Sequence, residues 1–208
     1  MKKILFALGI GLCCITGAMA QETAIGVTAG IGHSWLSNQA GRTMGHPAWN
    51  LGGTFIHSTT NHWGFGFDIK YSSEGRTTRY APNDHEERLN LDYVRVPLRV
   101  TYFFNGLDKN VRLKLSLAPT LGFLAAAHYI IKDVDGHEIY NNSVKDDVNG
   151  FDFGLTFGGG VNFRVSDRAW LTTELAYYNG FVNVANNGGT TLNRNLAFNL
   201  GLMFGIGK

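Results

Sequence analysis

Phe151 to Val165 reads F-D-F-G-L-T-F-G-G-G-V-N-F-R-V. One face of this stretch carries Phe151, Phe153, Leu155, Phe157, Val161, Phe163 and Val165. The other carries Asp152, Gly154, Thr156, Gly158, Gly160, Asn162 and Arg164. A period of two held this long predicts a β-strand, and one well beyond the usual globular length of about 5–6 residues. The apolar face is large and aromatic; the polar face is small, glycine-rich and partly charged. A soluble sandwich would point the large face into a core and solvate the other, which is rarely so rich in glycine. A membrane barrel inverts this, with apolar side chains toward lipid and polar ones toward a narrow lumen.

The same reading extends along the chain. Eight segments alternate: Ala24–Ser34, Trp49–Ser58, Trp63–Ser73, Leu91–Phe104, Val111–Ala126, Phe151–Val165, Ala169–Asn179 and Asn193–Ile206. Their connections run long and short by turns. Trp35–Ala48, Glu74–Asn90, Ala127–Gly150 and Gly180–Leu192 are long, while Thr59–His62, Asn105–Asn110 and Ser166–Arg168 are short. Tight periplasmic turns and long external loops are the signature of an up-and-down barrel with an even number of strands. The predicted fold is all-β, an eight-stranded antiparallel up-and-down transmembrane barrel. A lipocalin also has eight strands, but it lacks this asymmetry and has a polar outer face. The first two segments, rich in Gly26, Gly30, Gly32, Gly52 and Gly53, alternate weakly, and their facing stays open. Trp63, Tyr102, Phe104, Trp170 and Tyr177 fall near strand ends, where aromatic girdles meet the lipid interface. Pro97 and Pro119 cannot donate to a ladder, so each should sit at a bulge or a missing hydrogen bond.

Residues 1–20 read as a signal peptide. Lys2 and Lys3 precede the apolar Ile4–Ile15, and Ala18-Met19-Ala20 is a small-x-small cleavage site before Gln21. A lipoprotein signal fits less well, because Leu12 and Cys13 are poor residues to precede a lipidated cysteine. The barrel domain is then residues 21–208. Cleavage removes both cysteines, and with them disulfide and thiol chemistry. It also removes two of the 18 basic residues, leaving 16 against 16 acidic ones, so no electrostatic case for nucleic acid survives.

The inward faces would carry Asp68, Lys70, Arg95, Arg99, Arg112, Lys114, Asp152, Arg164 and Glu174, six positive charges and three negative. An eight-stranded barrel is about wide enough to be filled by its own side chains, and buried charges must be paired. The favoured reading is a plug: a lumen network of Asp68, Lys70, Arg95, Arg99, Asp152, Arg164 and Glu174. Arg112 and Lys114, near a periplasmic turn, would be solvated. The alternative is a small anion-preferring pore.

Candidate chemistry is thin. His33-Ser34 and His57-Ser58 are adjacent pairs, and neighbours on a strand point to opposite faces, so neither serves as base and nucleophile. A lipid A-modifying enzyme is therefore the least favoured alternative. Asp133-Val134-Asp135-Gly136-His137-Glu138 begins like a calcium loop, but the remaining ligands are absent. It reads as a hydrophilic loop, as does His85-Glu86-Glu87. No catalytic residue, cofactor or metal site is expected.

Several segments together resemble the outer-membrane β-barrel family that includes PorT-like proteins. These are Tyr93-Val94-Arg95-Val96-Pro97-Leu98, Ala118-Pro119-Thr120-Leu121-Gly122-Phe123-Leu124, Phe151-Asp152-Phe153-Gly154-Leu155, Glu174-Leu175-Ala176-Tyr177-Tyr178-Asn179-Gly180-Phe181 and Asn193-Arg194-Asn195-Leu196. The resemblance covers the chain in order and is strongest from Leu91 onward. It implies an OmpX-like eight-stranded barrel in the outer membrane of a Gram-negative cell envelope. The family's namesake takes part in type IX secretion. Two departures stand out: Arg95 replaces a usual acid, and the chain ends Phe204-Gly205-Ile206-Gly207-Lys208 instead of on a terminal aromatic. The expectation is a non-enzymatic barrel that displays external loops for adhesion, envelope stability or secretion. Its expected partners are outer-membrane lipid and lipopolysaccharide, periplasmic chaperones and the barrel-assembly machinery, and secretion or surface partners at the loops. A monomer without nucleic acid is expected.

Overall fold

The computed structural model describes residues 22–38, 42–80, 85–186 and 189–206. The signal peptide expected over residues 1–20 lies outside the described residues. The strands are β1 (Glu22–Leu36), β2 (Arg42–Met44), β3 (His46–Ser58), β4 (Trp63–Tyr80), β5 (His85–Phe103), β6 (Val111–Lys132), β7 (Glu138–Ser143), β8 (Phe151–Arg164), β9 (Ala169–Asn183) and β10 (Leu192–Gly205). One 3-10 turn, Lys145–Asp147, lies between β7 and β8.

Eight strands close a ring. β1 pairs with β3, and the path continues through β4, β5, β6, β8, β9 and β10, which returns to β1; every pairing is antiparallel. Closure leaves no open edge in lipid, where an unpaired backbone group costs several kcal/mol. β2 and β7 lie off the ring and pair with the outer ends of β4 and β6.

Alternation sets the two faces. On β8, Phe151, Phe153, Phe157 and Phe163 are exposed while Asp152 is buried. On β10, Leu196, Phe198, Leu200, Leu202 and Phe204 are exposed and Asn193, Asn195, Ala197 and Asn199 are buried. The two glycine-rich strands follow the same rule: Ile25, Val27 and Ile31 of β1 and Trp49 and Leu51 of β3 face outward. Both prolines sit where the ladders break. Pairing lapses, without a change of register, between Phe67/Leu98 and Lys70/Arg95 on one side of β5 and between Pro97/Thr120 and Val100/Leu117 on the other.

The extracellular ends depart from the expected loops. β4 and β5 run on to Tyr80 and His85, so most of Glu74–Asn90 is paired strand. β6 runs on to Lys132 and pairs with β7, so the expected loop Ala127–Gly150 is largely a second hairpin. Thr77, Thr78, Leu89, Leu91, Ile130 and Ile131 supply β-branched and apolar residues there. Gly75 adopts φ +148°, a backbone conformation that suits glycine, and Ser34 clamps it: its Oγ accepts from the Gly75 N–H and donates to the Gly75 carbonyl. Across the mouth, Leu36, Leu91, Tyr93, Leu124, Ala127, Val148 and Val184 form an apolar cluster. The chain near Val148 is held in place by the Asn149 N–H to the Val184 carbonyl and the Asn186 N–H to the Asp147 carbonyl.

Candidate functional site: the charged lumen

Two tiers of ion pairs cross the lumen below that cluster. In the outer tier Arg95 of β5 donates from Nε and Nη2 to Glu74 of β4 (2.9 and 2.6 Å) and from Nη1 to Asp152 of β8 (2.9 Å). Ser72 Oγ and Asn193 Nδ2 donate to the same Glu74 at 2.7 and 2.6 Å. The rings of Tyr93 and Tyr178 lie 4.5 and 4.1 Å from the guanidinium. Inward glycine makes the space: a Cβ on Gly122 would sit 2.7 Å from Arg95 Nη1.

In the inner tier Arg99, two inward positions along β5, donates to Asp68 of β4 at 2.6 Å and to Glu174 of β9 at 2.7 and 2.8 Å. Lys70 pairs with Asp68 at 3.2 Å and Lys114 with Glu174 at 3.3 Å. Thr54 and Ser116 add hydroxyl donors. The two tiers hold four cations (Lys70, Arg95, Arg99, Lys114) and four carboxylates (Asp68, Glu74, Asp152, Glu174). The network therefore balances, which is what low-dielectric burial requires.

Two small cavities flank the inner tier, about 80 Å³ on the periplasmic side and about 70 Å³ toward the outside. Lys70, Arg99, Glu174 and Asn199 line both and so form the partition between them.

Several sequence expectations are corrected. Arg164 is not a member of the network. It sits at the periplasmic mouth, bonds the Leu107 carbonyl and stacks 4.8 Å from the Trp170 ring. Trp170 is not an interface aromatic: it is 8% exposed and faces the lumen. The reason is parity, since Trp170 shares its face of β9 with Thr172 and Glu174, and its indole covers the guanidiniums of Arg112 and Arg164. Arg112 is buried instead of solvated. It bonds the carbonyls of Asn105 and Asn61 at 3.2 and 2.8 Å and stacks 3.8 Å from the Phe103 ring. Lys114 belongs to the inner tier. Sequence reading missed Glu74, which falls just past the segment read as strand.

Of the other aromatic residues, Trp63, Tyr102 and Phe104 touch in series on the outer face at the periplasmic end, with ring centroids 5.0 and 5.3 Å apart. Tyr177 lies on the outer face at the extracellular end, 6.1 Å from Trp35.

The residues considered for chemistry stay apart. His33 is exposed on the outer face to a greater degree than Ser34, which is fully buried and committed to Gly75. His57 Nδ1 lies 2.8 Å from Thr23 Oγ1, and Ser58 is buried inward. Asp133, Asp135 and His137 do cluster, with one ligand atom of each within 4.8 Å of the others. Asp133 Oδ1, however, accepts the backbone N–H groups of Asp135 and His137, so it serves the hairpin turn.

A closed, lipid-faced ring of eight strands around a charge-filled lumen defines a class, the small transmembrane β-barrels of the outer membrane. The chain matches the family model described as an outer membrane protein beta-barrel domain over residues 19–186, and it belongs to that family. Among solved structures it is similar to the outer membrane protein OprG from Pseudomonas aeruginosa, at 12% identity and TM-score 0.60, over 92% of this chain and 99% of that one. It is also similar to a major outer membrane protein from Thermus thermophilus, at 12% identity and TM-score 0.50, over 88% and 99%. Identities this low speak for the fold alone. No curated protein matches the chain in sequence.

Proposed function

We propose that the protein is a non-enzymatic outer-membrane barrel whose working surface is its extracellular end, serving adhesion, envelope stability or secretion. The observation that carries this reading is the filled lumen. An apolar cluster lies over two charge-balanced tiers, while β4 to β7 are built outward beyond the lipid band. A small barrel that blocks its own bore while extending one rim spends its residues on the rim. The anion-pore alternative loses its main support, because Glu74 balances the two tiers at four cations and four carboxylates, and the two further inward cations, Arg112 and Arg164, are held by backbone carbonyls and aromatic rings at the periplasmic end. Planar-bilayer recording tests the reading. The native protein should show no steady conductance, and anion-selective current from it would overturn the proposal.

Within the family we assign the chain to the PorT-like barrels on the strand motifs around Tyr93–Leu98 and Glu174–Phe181. A role in secretion would show as cargo retained in the periplasm of a deletion strain, and matching secretomes would remove it. We also propose cleavage after Ala20, insertion by the barrel-assembly machinery with periplasmic chaperones, contact with outer-membrane lipid and lipopolysaccharide, and a monomeric state. Amino-terminal sequencing of the purified protein should begin at Gln21.

A further inference from the structure

Arg194 stands out among the cations. Among the basic side chains that the structure describes, Arg168 and Arg194 have neither an ion pair nor a side-chain hydrogen bond, and Arg168 is exposed in a periplasmic turn. Arg194 is half-buried, and its Nε is shielded with no partner. It points outward, because it shares its face of β10 with Leu196, Phe198 and Leu200, which are exposed to lipid, while Asn193 and Asn195 face in. It lies one outward position beyond Leu196, at the extracellular rim of the apolar band. An unpaired cation on a barrel's lipid face is costly at mid-membrane and becomes nearly neutral only at the interface.

Its neighbours are suited to a headgroup. Trp35 of β1 is directly opposite Arg194 on one side, and Asn179 of β9 on the other. Tyr177, one outward position from Asn179, leans across β10 until its ring centroid is 6.1 Å from that of Trp35. Tryptophan and tyrosine belong at headgroup depth, and both carry donors that suit phosphate oxygens. A guanidinium pairs with phosphate through two parallel N–H···O bonds, which a carboxylate on the protein would otherwise occupy. No carboxylate of the described residues forms an ion pair with Arg194.

We propose that Arg194, flanked by Trp35 and Tyr177, binds the phosphate of an outer-leaflet lipid headgroup, with the acyl chains lying along Leu196 and Phe198. This site is on the outer wall and is independent of what the extracellular rim does. The chemistry is shared by lipid A phosphate, glycerophospholipid phosphate and free phosphate, and the test separates them.

The full-length barrel in detergent micelles is titrated with bisphosphorylated lipid A, its dephosphorylated form, phosphatidylglycerol and inorganic phosphate, and bound species are counted by native mass spectrometry. The native protein should bind bisphosphorylated lipid A about tenfold more tightly than the dephosphorylated form. Arg194→Gln should lose that preference, and Arg194→Lys should keep most of it. Arg194-dependent binding of phosphatidylglycerol as tight as that of lipid A would extend the site to phospholipid phosphate. Equal binding of the two lipid A forms by the native protein overturns the proposal. An undiminished preference in Arg194→Gln also overturns it, as does displacement of lipid by an equal concentration of inorganic phosphate. The comparison of lipid A forms uses only native protein, so it stands even if a variant fails to close. Closure of each variant is read from its shift in gel migration on heating.

Discussion

Arg95 concentrates the energetics of the lumen at one residue. Its three bonds to Glu74 and Asp152 hold two buried carboxylates that water cannot reach easily. Removing one partner from a buried pair leaves the other charge uncompensated, at about 3–5 kcal/mol. Arg95→Met should therefore destabilise the barrel by that order in urea titrations in micelles. Adding Glu74→Gln and Asp152→Asn should recover much of the loss, since replacing a whole network with neutral groups costs far less than breaking it. A loss under about 1 kcal/mol for Arg95→Met would mean the outer tier contributes little. Two tryptophans give a second test at this scale. Single-tryptophan variants in brominated lipid should show strong quenching of Trp63, which is 45% exposed on the outer face, and little quenching of Trp170. Equal quenching of both would place Trp170 back in the lipid.

At the scale of the element, the extracellular wall carries a titration of its own. His46, at the start of β3, is buried with Nδ1 3.0 Å from Thr77 Oγ1 of β4. Burial, with a smaller push from the positive charge of Arg88 and an opposing pull from Glu86, brings its pKa from 6.5 down to about 4. The folded wall thus binds fewer protons at His46 than the unfolded chain between those values. Stability from this group is complete above about 6.5, and it falls as pH drops through that value toward about 4. Amide exchange along β2, β3 and β4 should be slower at pH 7 than at pH 5 after correction for intrinsic rates, and His46→Gln should flatten the difference. Equal protection at both pH values would show that the wall is insensitive to His46. Glu86 contributes in the same sense, since its folded carboxyl also binds protons less readily than in the unfolded chain. Arg88 and Arg79 bond it and hold its carboxyl below the usual range despite some desolvation, so its share of the stability is likewise lost as pH falls.

At the scale of the whole molecule, closure is the property that matters. The β1–β10 ladder runs from Ala24/Gly205 to Leu36/Asn193 without a break, so the ring is zipped by its two terminal strands. Such a barrel should migrate faster on gels before boiling than after, and identical migration would argue against a closed ring. Trimming β10 should abolish the fast form, because each lost pair leaves backbone groups on β1 unsatisfied in lipid.

Much of this was legible in the chain. The alternation from Phe151 to Val165 determined a strand and both of its faces, because side chains on a strand alternate strictly whatever the tertiary context. The same rule sends Arg95, Arg99, Asp68, Asp152 and Glu174 inward, and Trp170 with them, because parity along β9 outweighs its place near a strand end. The long and short connections set the topology, since two-residue periodicity and turn length are local properties. Local signals stop short of partners. Glu74 was invisible as a lumen acid because its strand continues only through pairing with β5 and through the Ser34 clamp on Gly75, a contact 41 residues distant in sequence. That Arg95 meets Glu74 and Asp152, that Arg99 meets Asp68 and Glu174, and that the charges sum to zero were decided by ring closure alone. Closure brings β4, β5, β8 and β9 around one narrow bore, and a bore without bulk water favours pairing the charges of the two tiers with their opposites there.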